Sequence, residues 1–158
     1  MENTGFPSSE NGYLEDYVYL ITSSLRKLTN IEIVDFSLDL EQQAKQAFNS
    51  DYVLLAHNGT NEPVFNYANQ AALSLFEMSW EEFTNMLSKY SAESDQREKR
   101  EKLLADVAKN GYSKNYSGIR ISKTGRRFEI RNAIIWNIYD SENNRIGQAA
   151  VFKEYDYL

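Results

Sequence analysis

Apolar and polar positions change period along this chain, and each change marks an element. Between Tyr13 and Leu28 the residues Leu14, Tyr17, Val18, Ile21, Leu25 and Leu28 recur at helical spacing on one face, with Glu15, Asp16, Ser23, Arg26 and Lys27 elsewhere. Asp39, followed three residues later by Gln42, is placed to cap a short helix over Leu40–Phe48. A run of strand formers, Val53 to Ala56, then ends in Asn58-Gly59, and a second run (Val64, Phe65, Tyr67) follows within a hairpin's reach. Asn69 can accept from the free N–H groups of the helix formers behind it, and Ser79-Trp80-Glu81-Glu82 reads as a capping box.

The second half repeats the logic in another order. Ser94 or Asp95 starts a helix that carries Leu103, Leu104 and Val107 inward and stops at Asn110-Gly111. Three β segments finish the chain. Ile119 and Ile121 share a face of the first, and Lys123-Thr124-Gly125 supplies a tight connection. Strict alternation in the second aims Phe128, Ile130, Asn132, Ile134, Trp136 and Ile138 one way and Arg127, Glu129, Arg131 and Asn137 the other. Asp140 to Asn144 is a turn, and the last strand sets Ile146, Gln148, Ala150 and Phe152 on one side. This order implies an α+β domain with an antiparallel sheet. Met1 to Gly12 is expected to be disordered, residues 13–50 to form an N-terminal helical segment, and residues 51–158 to form the core. Phe128, Ile134, Trp136 and Phe152 are expected on one shared core face.

YANQAALSLFEMSWEEF resembles the PAS pattern of a strand ending in Asn, a helix of small and apolar residues, then a capped helix. From about Tyr13 the chain more closely resembles the PAS-related MEKHLA domain, through SAESDQREKREKLL from Ser91, YSGIRISKTGRRFEI from Tyr116 and IGQAAVF from Ile146. Glu77 stands where many PAS domains have Gly, and Met86-Leu87-Ser88-Lys89 where Leu-Pro-Ser-Arg is expected; both departures touch a helix end or a loop. The resemblance implies a PAS-like five-stranded antiparallel sheet, order 2-1-5-4-3, with helices on one face and the additional N-terminal helical segment. It also implies a regulatory role, since the domain ends plant homeodomain leucine-zipper regulators. The 158 residues carry no such effector, so output is expected to act on a protein partner in trans. PAS-like domains pair through a preceding helix, so the Leu14–Leu28 stripe is covered either by its own domain or by a second copy, and a homodimer through that helix is expected.

Composition narrows the chemistry. The chain has no cysteine, which removes disulfides, thiolate nucleophiles and Cys-ligated metals together. His57 is the single histidine, so no two-histidine metal site and no bis-histidine haem can be built, and at a strand end it reads as a turn residue. No G-x-S-x-G, P-loop or G-x-G-x-x-G occurs, which argues against an enzyme. The N-terminus lacks a basic end followed by an apolar core, and no apolar run is long enough to span a bilayer, so a cytoplasmic protein is expected. The net charge of −6 conceals +7 between Arg97 and Arg131 and −13 elsewhere. Overall acidity and the interleaving of Glu98 and Glu101 among those cations disfavour nucleic acid.

Two amides, Asn132 and Gln148, are aimed by parity at the apolar side, with Trp136 beside them. They either bond buried backbone groups or face a cavity of the kind in which PAS-like domains hold flavins, haem or metabolites. In flavin-binding light-sensing PAS domains, amides on the last two strands grip the ring system. Asn132, Trp136 and Gln148 are therefore the candidate ligand-binding residues, with no catalytic and no metal residues. The expected function is a sensory or regulatory module that binds a small ligand or cofactor, a non-covalent flavin or metabolite, and signals through protein contacts. A cysteinyl flavin adduct is excluded by composition. The alternative is a ligand-free interaction or dimerisation module.

Overall fold

The computed structural model describes residues 5–92 and 97–158. A 3-10 turn at Ser9–Leu14 leads into α1 (Glu15–Thr29), whose acidic first turn and basic last turn complement the helix dipole. α2 (Leu40–Asn49) is capped by Asp39, which accepts from the Gln42 N–H. β1 (Val53–His57) and β2 (Phe65–Ala68) form the hairpin, and α3 (Gln70–Phe76) and α4 (Trp80–Phe83) follow from the expected caps at Asn69 and Ser79. A 3-10 turn at Ser88–Ser91 precedes α5 (Arg97–Asn110). The helix start expected at Ser94 or Asp95 lies outside the described residues. β3 (Tyr112–Ile121), β4 (Arg127–Tyr139), β5 (Arg145–Phe152) and β6 (Glu154–Tyr157) complete the chain.

Residues 5–12, part of the segment expected to be disordered, are ordered against the helices. The Phe6 ring meets Phe48 edge-on at 5.3 Å, and Pro7 is buried. Two apolar side chains in a polar stretch are enough to anchor it.

The sheet order is β2-β1-β5-β4-β3, with every neighbouring pair antiparallel. β6 prolongs β5 beyond Lys153 and pairs with the first half of β4, Arg131 opposite Glu154 and Phe128 opposite Tyr157. α3, α4 and α5 lie on one face of the sheet, and the N-terminal segment, α1 with α2, takes the other. The α1 stripe is therefore covered by its own chain: Ile21 and Leu25 are fully buried, and the indole N–H of Trp136 donates to the Ile21 carbonyl at 2.9 Å. Of the two coverings expected for this stripe, its own domain is the one the structure shows, which leaves no free stripe there for a second copy.

Asn69 ties the two faces together. Wholly buried, its side-chain oxygen accepts from the Leu54 and Ala72 N–H groups at 3.0 Å each, and its NH2 donates to the carbonyls of Ala47 at 3.1 Å and Tyr52 at 2.8 Å. One side chain thus caps α3, holds the start of β1 and receives the end of α2.

Strict alternation along β4 breaks at Asn132. Asn132 has φ 55 and Asn115 on β3 has φ 59, and the β3–β4 register slips beside them. Asparagine enters the left-handed region with less strain than most residues, and one residue out of period reverses every side chain after it. Phe128, Ile130 and Ala133 accordingly face α3 and α4, whereas Ile134, Trp136 and Ile138 face α1. The same reversal falls at Lys153, since Phe152 and Tyr155 bring their rings within 6.4 Å although three positions apart. The expected single face of Phe128, Ile134, Trp136 and Phe152 is thus two faces, with Phe128 and Phe152 on one and Ile134 and Trp136 on the other.

Candidate functional site

The α5 face of the sheet is incompletely filled. A cavity of about 880 Å³ lies between it, α5 and the Ser88–Ser91 turn, within the size range of small-molecule sites. Strand register orders its floor into rows. Leu55, Ala150 and Ile135 are cross-strand partners on β1, β5 and β4 and make an apolar row, with Phe152 and Ala133 beyond it. The alanines leave the room that larger aliphatic side chains would fill. α5 contributes Arg100, Leu103 and Leu104. Val107 and half-buried Leu103 face inward as expected, but Leu104, expected inward, is 48% exposed at the cavity's open side.

The next row is polar: His57, Gln148 and Asn137 are partners across the same three strands. The Gly59 N–H donates to His57 Nδ1 at 3.0 Å, and Gln148 is the cross-strand partner of the histidine on β5. Burial pushes the His57 pKa down to about 4; the Gln148 side chain opposes that shift, while the Arg145 and Arg100 charges reinforce it. Arg145 closes the row, donating from Nε to Asn137 Oδ1 at 3.0 Å and from its guanidinium to the Gly59 carbonyl at 3.1 Å. At the β3 side, Arg120 donates to the Tyr116 hydroxyl and to the Ile119 carbonyl, both at 3.1 Å.

Of the candidate residues, only Gln148 lines this cavity. Asn132 is exposed and donates to the Glu154 carboxylate, because its left-handed backbone turns it out of the strand's alternation. Trp136 lies beyond the reversal, on the α1 face. The structure instead places His57, Asn137 and Arg145 with Gln148. His57 ends β1 as expected, but its ring walls the cavity. Asn137 was assigned outward by the same parity that misplaced Asn132, and Asn132 itself, a left-handed-tolerant residue in mid-strand, was the available signal. Among the described residues no cluster of three His, Asp or Glu side chains suited to a metal occurs, and no helix is long and apolar enough to cross a membrane.

This sheet order, with helices over a cavity on one face and an N-terminal helix on the other, defines a PAS-type fold. A PAS domain from Colwellia psychrerythraea is similar, with TM-score 0.63 and 14% identity over 75% of this chain and 96% of that one. The light-state dimer of the fungal blue-light photoreceptor Vivid gives TM-score 0.61 and 14% identity, covering 87% and 93% of the two chains. An RNA-binding light-oxygen-voltage receptor gives 0.62 and 12%, over 75% of this chain and 34% of that receptor. At such identities the likeness is one of fold. The sequence model of the MEKHLA domain matches residues 15–157, and the chain belongs to that family. No curated protein matches the sequence.

For a flavin, the cavity supplies volume, an apolar floor, one amide on the sheet at Gln148 and another in the β1–β2 loop at Asn61. The second amide expected at Asn132 is outside it. Asn137, next to Gln148 in the polar row, is already engaged with Arg145.

Proposed function

We propose that this MEKHLA-family chain is a sensory or regulatory module that holds a small molecule, a non-covalent flavin or a metabolite, in the cavity under α5 and signals by protein contacts to a partner in trans. Binding without catalysis, a cytoplasmic location and pairing of two copies through surfaces other than Ile21 and Leu25 belong to the same proposal. One observation carries it: an 880 Å³ cavity whose floor is alanine and aliphatic, with a single organised polar row at one end. Small-ligand sites have that composition, a large apolar area with a few placed polar groups.

The test is mass spectrometry of what native protein releases on denaturation, with a visible absorption spectrum and a thermal-shift screen of metabolites. A released compound or a saturable shift is expected. Gln148→Leu should weaken its binding by about 1 to 3 kcal/mol, roughly five- to 150-fold, whereas Asn132→Leu should leave it unchanged. If nothing is released and no screened molecule shifts the melting temperature, the cavity reading fails and a ligand-free interaction module takes its place.

A further inference from the structure

We infer that the cavity is selective for anions: its ligand carries a negative group held between Arg100 and Arg145 beside the Gln148 amide, with an apolar body on the alanine floor. The inference rests on the cavity being a ligand site.

The charged residues that line it are Lys89, Arg100, Arg120 and Arg145, all cationic, in a chain whose net charge is −6. Lys89 has a counterion in Glu62 at 3.2 Å. The three arginines do not: among the described residues no carboxylate comes within ion-pair reach of them. Arg145 and Arg120 are instead fixed by neutral acceptors, an amide oxygen and a carbonyl for the first, a phenol and a carbonyl for the second. A guanidinium cannot shed its proton, so its charge at a cavity wall is balanced only by water or by an incoming anion. Holding it by neutral oxygens keeps it in place without cancelling its charge. A cationic ligand would need a carboxylate in the wall, and none lines the cavity among the described residues.

The polar row has the same bias. His57 Nδ1 accepts from Gly59, so the neutral ring carries its proton on Nε2. Asn137 Oδ1, another acceptor in the row, is taken by Arg145. The charged groups that the polar end offers a ligand are therefore donors, the Arg145 and Arg100 guanidiniums.

The experiment compares two fluorescent probes that share an aromatic body: anilinonaphthalene sulfonate, an anion, and uncharged phenylnaphthylamine. The anion is expected to bind the intact protein saturably and about tenfold or more tightly than the neutral probe, with an affinity that falls as salt rises. Arg100→Gln sits on the exposed side of α5 and leaves the fold intact; Arg145→Gln is checked for folding by circular dichroism. Each should weaken the anion about fivefold or more and leave the neutral probe unchanged. Equal affinity for the two probes, or an anion affinity indifferent to both substitutions, overturns the inference while the cavity reading stands. If neither probe binds, or if binding survives Ala150→Trp, which fills the floor, both the inference and the cavity reading fall.

Discussion

The two faces of one sheet are built to different ends. Under α1 and α2 the side chains are closed off from solvent: Val18, Ile21, Leu25, Trp136 and Ile138 are at most 1% exposed, and the Trp136 indole N–H has its acceptor. Under α5 the floor is alanine and aliphatic, Leu104 is half exposed, and Arg100, Arg120 and Arg145 stand without a carboxylate partner among the described residues. The closed face stabilises the fold, and the open face keeps volume and charge that a closed core could not tolerate. Strand neighbours show how fine the division is, since Ala149 looks at Trp136 on the closed side while Ala150 floors the cavity on the other.

The largest expected effect is on the closed face. Trp136→Ala removes a fully buried indole and leaves a void against α1, and should cost about 3 to 5 kcal/mol in denaturant unfolding. Binding of a probe in the cavity should survive at temperatures where the variant is folded. A loss below about 1 kcal/mol would mean that α1 is not docked on this strand.

Acid should act through the open face. The His57 pKa is about 4 in the fold against 6.5 unfolded, so between those values the unfolded chain binds more protons. Stability is then full above pH 6.5 and falls as pH drops toward 4, by roughly 3 kcal/mol in all. Glu77 and Glu82, exposed and held low by hydroxyl and lysine partners respectively, lose their contribution only below their ordinary 4.5. The window from pH 6.5 to 4.5 therefore belongs to His57. His57→Asn, which keeps an acceptor for the Gly59 N–H, should flatten stability across it in pH-dependent denaturation. A slope that persists in this variant would place the titrating group elsewhere.

The adjacent alanines test the division directly, with smaller effects. Ala149→Leu forces extra methyl groups against Trp136 and should cost about 1 to 3 kcal/mol, whereas Ala150→Leu extends into open volume and should cost less than about 1 kcal/mol. Equal costs in thermal or chemical unfolding would show that both faces are packed alike.

Local chemistry was legible in the sequence where one side chain decides one turn. Asp39, Asn69 and Ser79 cap the helices assigned to them, and the apolar runs gave the strands and, with the PAS resemblance, their order. Face assignment failed where it depended on counting through a residue whose backbone was not extended. Asn132 carries φ 55, so a parity correct from Phe128 to Ile130 was wrong from Ala133 onward, which exchanged Asn132 for Asn137 and moved Trp136 to the other side. Gln148 keeps the expected face because β5 is regular from Gly147 to Phe152, whereas Ile146, expected on that same face, is the extra residue at a slip in the β4–β5 register and packs on the α1 side. Arg145 could not be read at all, since its acceptors, Gly59 and Asn137, come from two other elements. Glu77 shows the opposite case: it keeps the left-handed conformation of the expected glycine, φ 58, with its carboxylate bound by Ser122 and Thr124.

The smallest effect probes how dry the closed face is. Tyr67 is completely buried there, its ring edge-on to Trp80 at 5.9 Å, and its hydroxyl has no hydrogen-bond partner among the described residues. Burial pushes the phenol pKa far up, so the hydroxyl stays neutral and contributes no charge at any working pH. A buried hydroxyl without a partner loses its hydration and gains nothing in return. Tyr67→Phe keeps the ring and its contact with Trp80 while removing that unpaired group. It should therefore leave the fold as stable as before or raise its stability by about 1 kcal/mol, measured as a shift in the denaturation midpoint at unchanged slope. A loss of stability instead would mean that an internal water satisfies the hydroxyl, and the closed face would then share the polar, hydrated character of the open one.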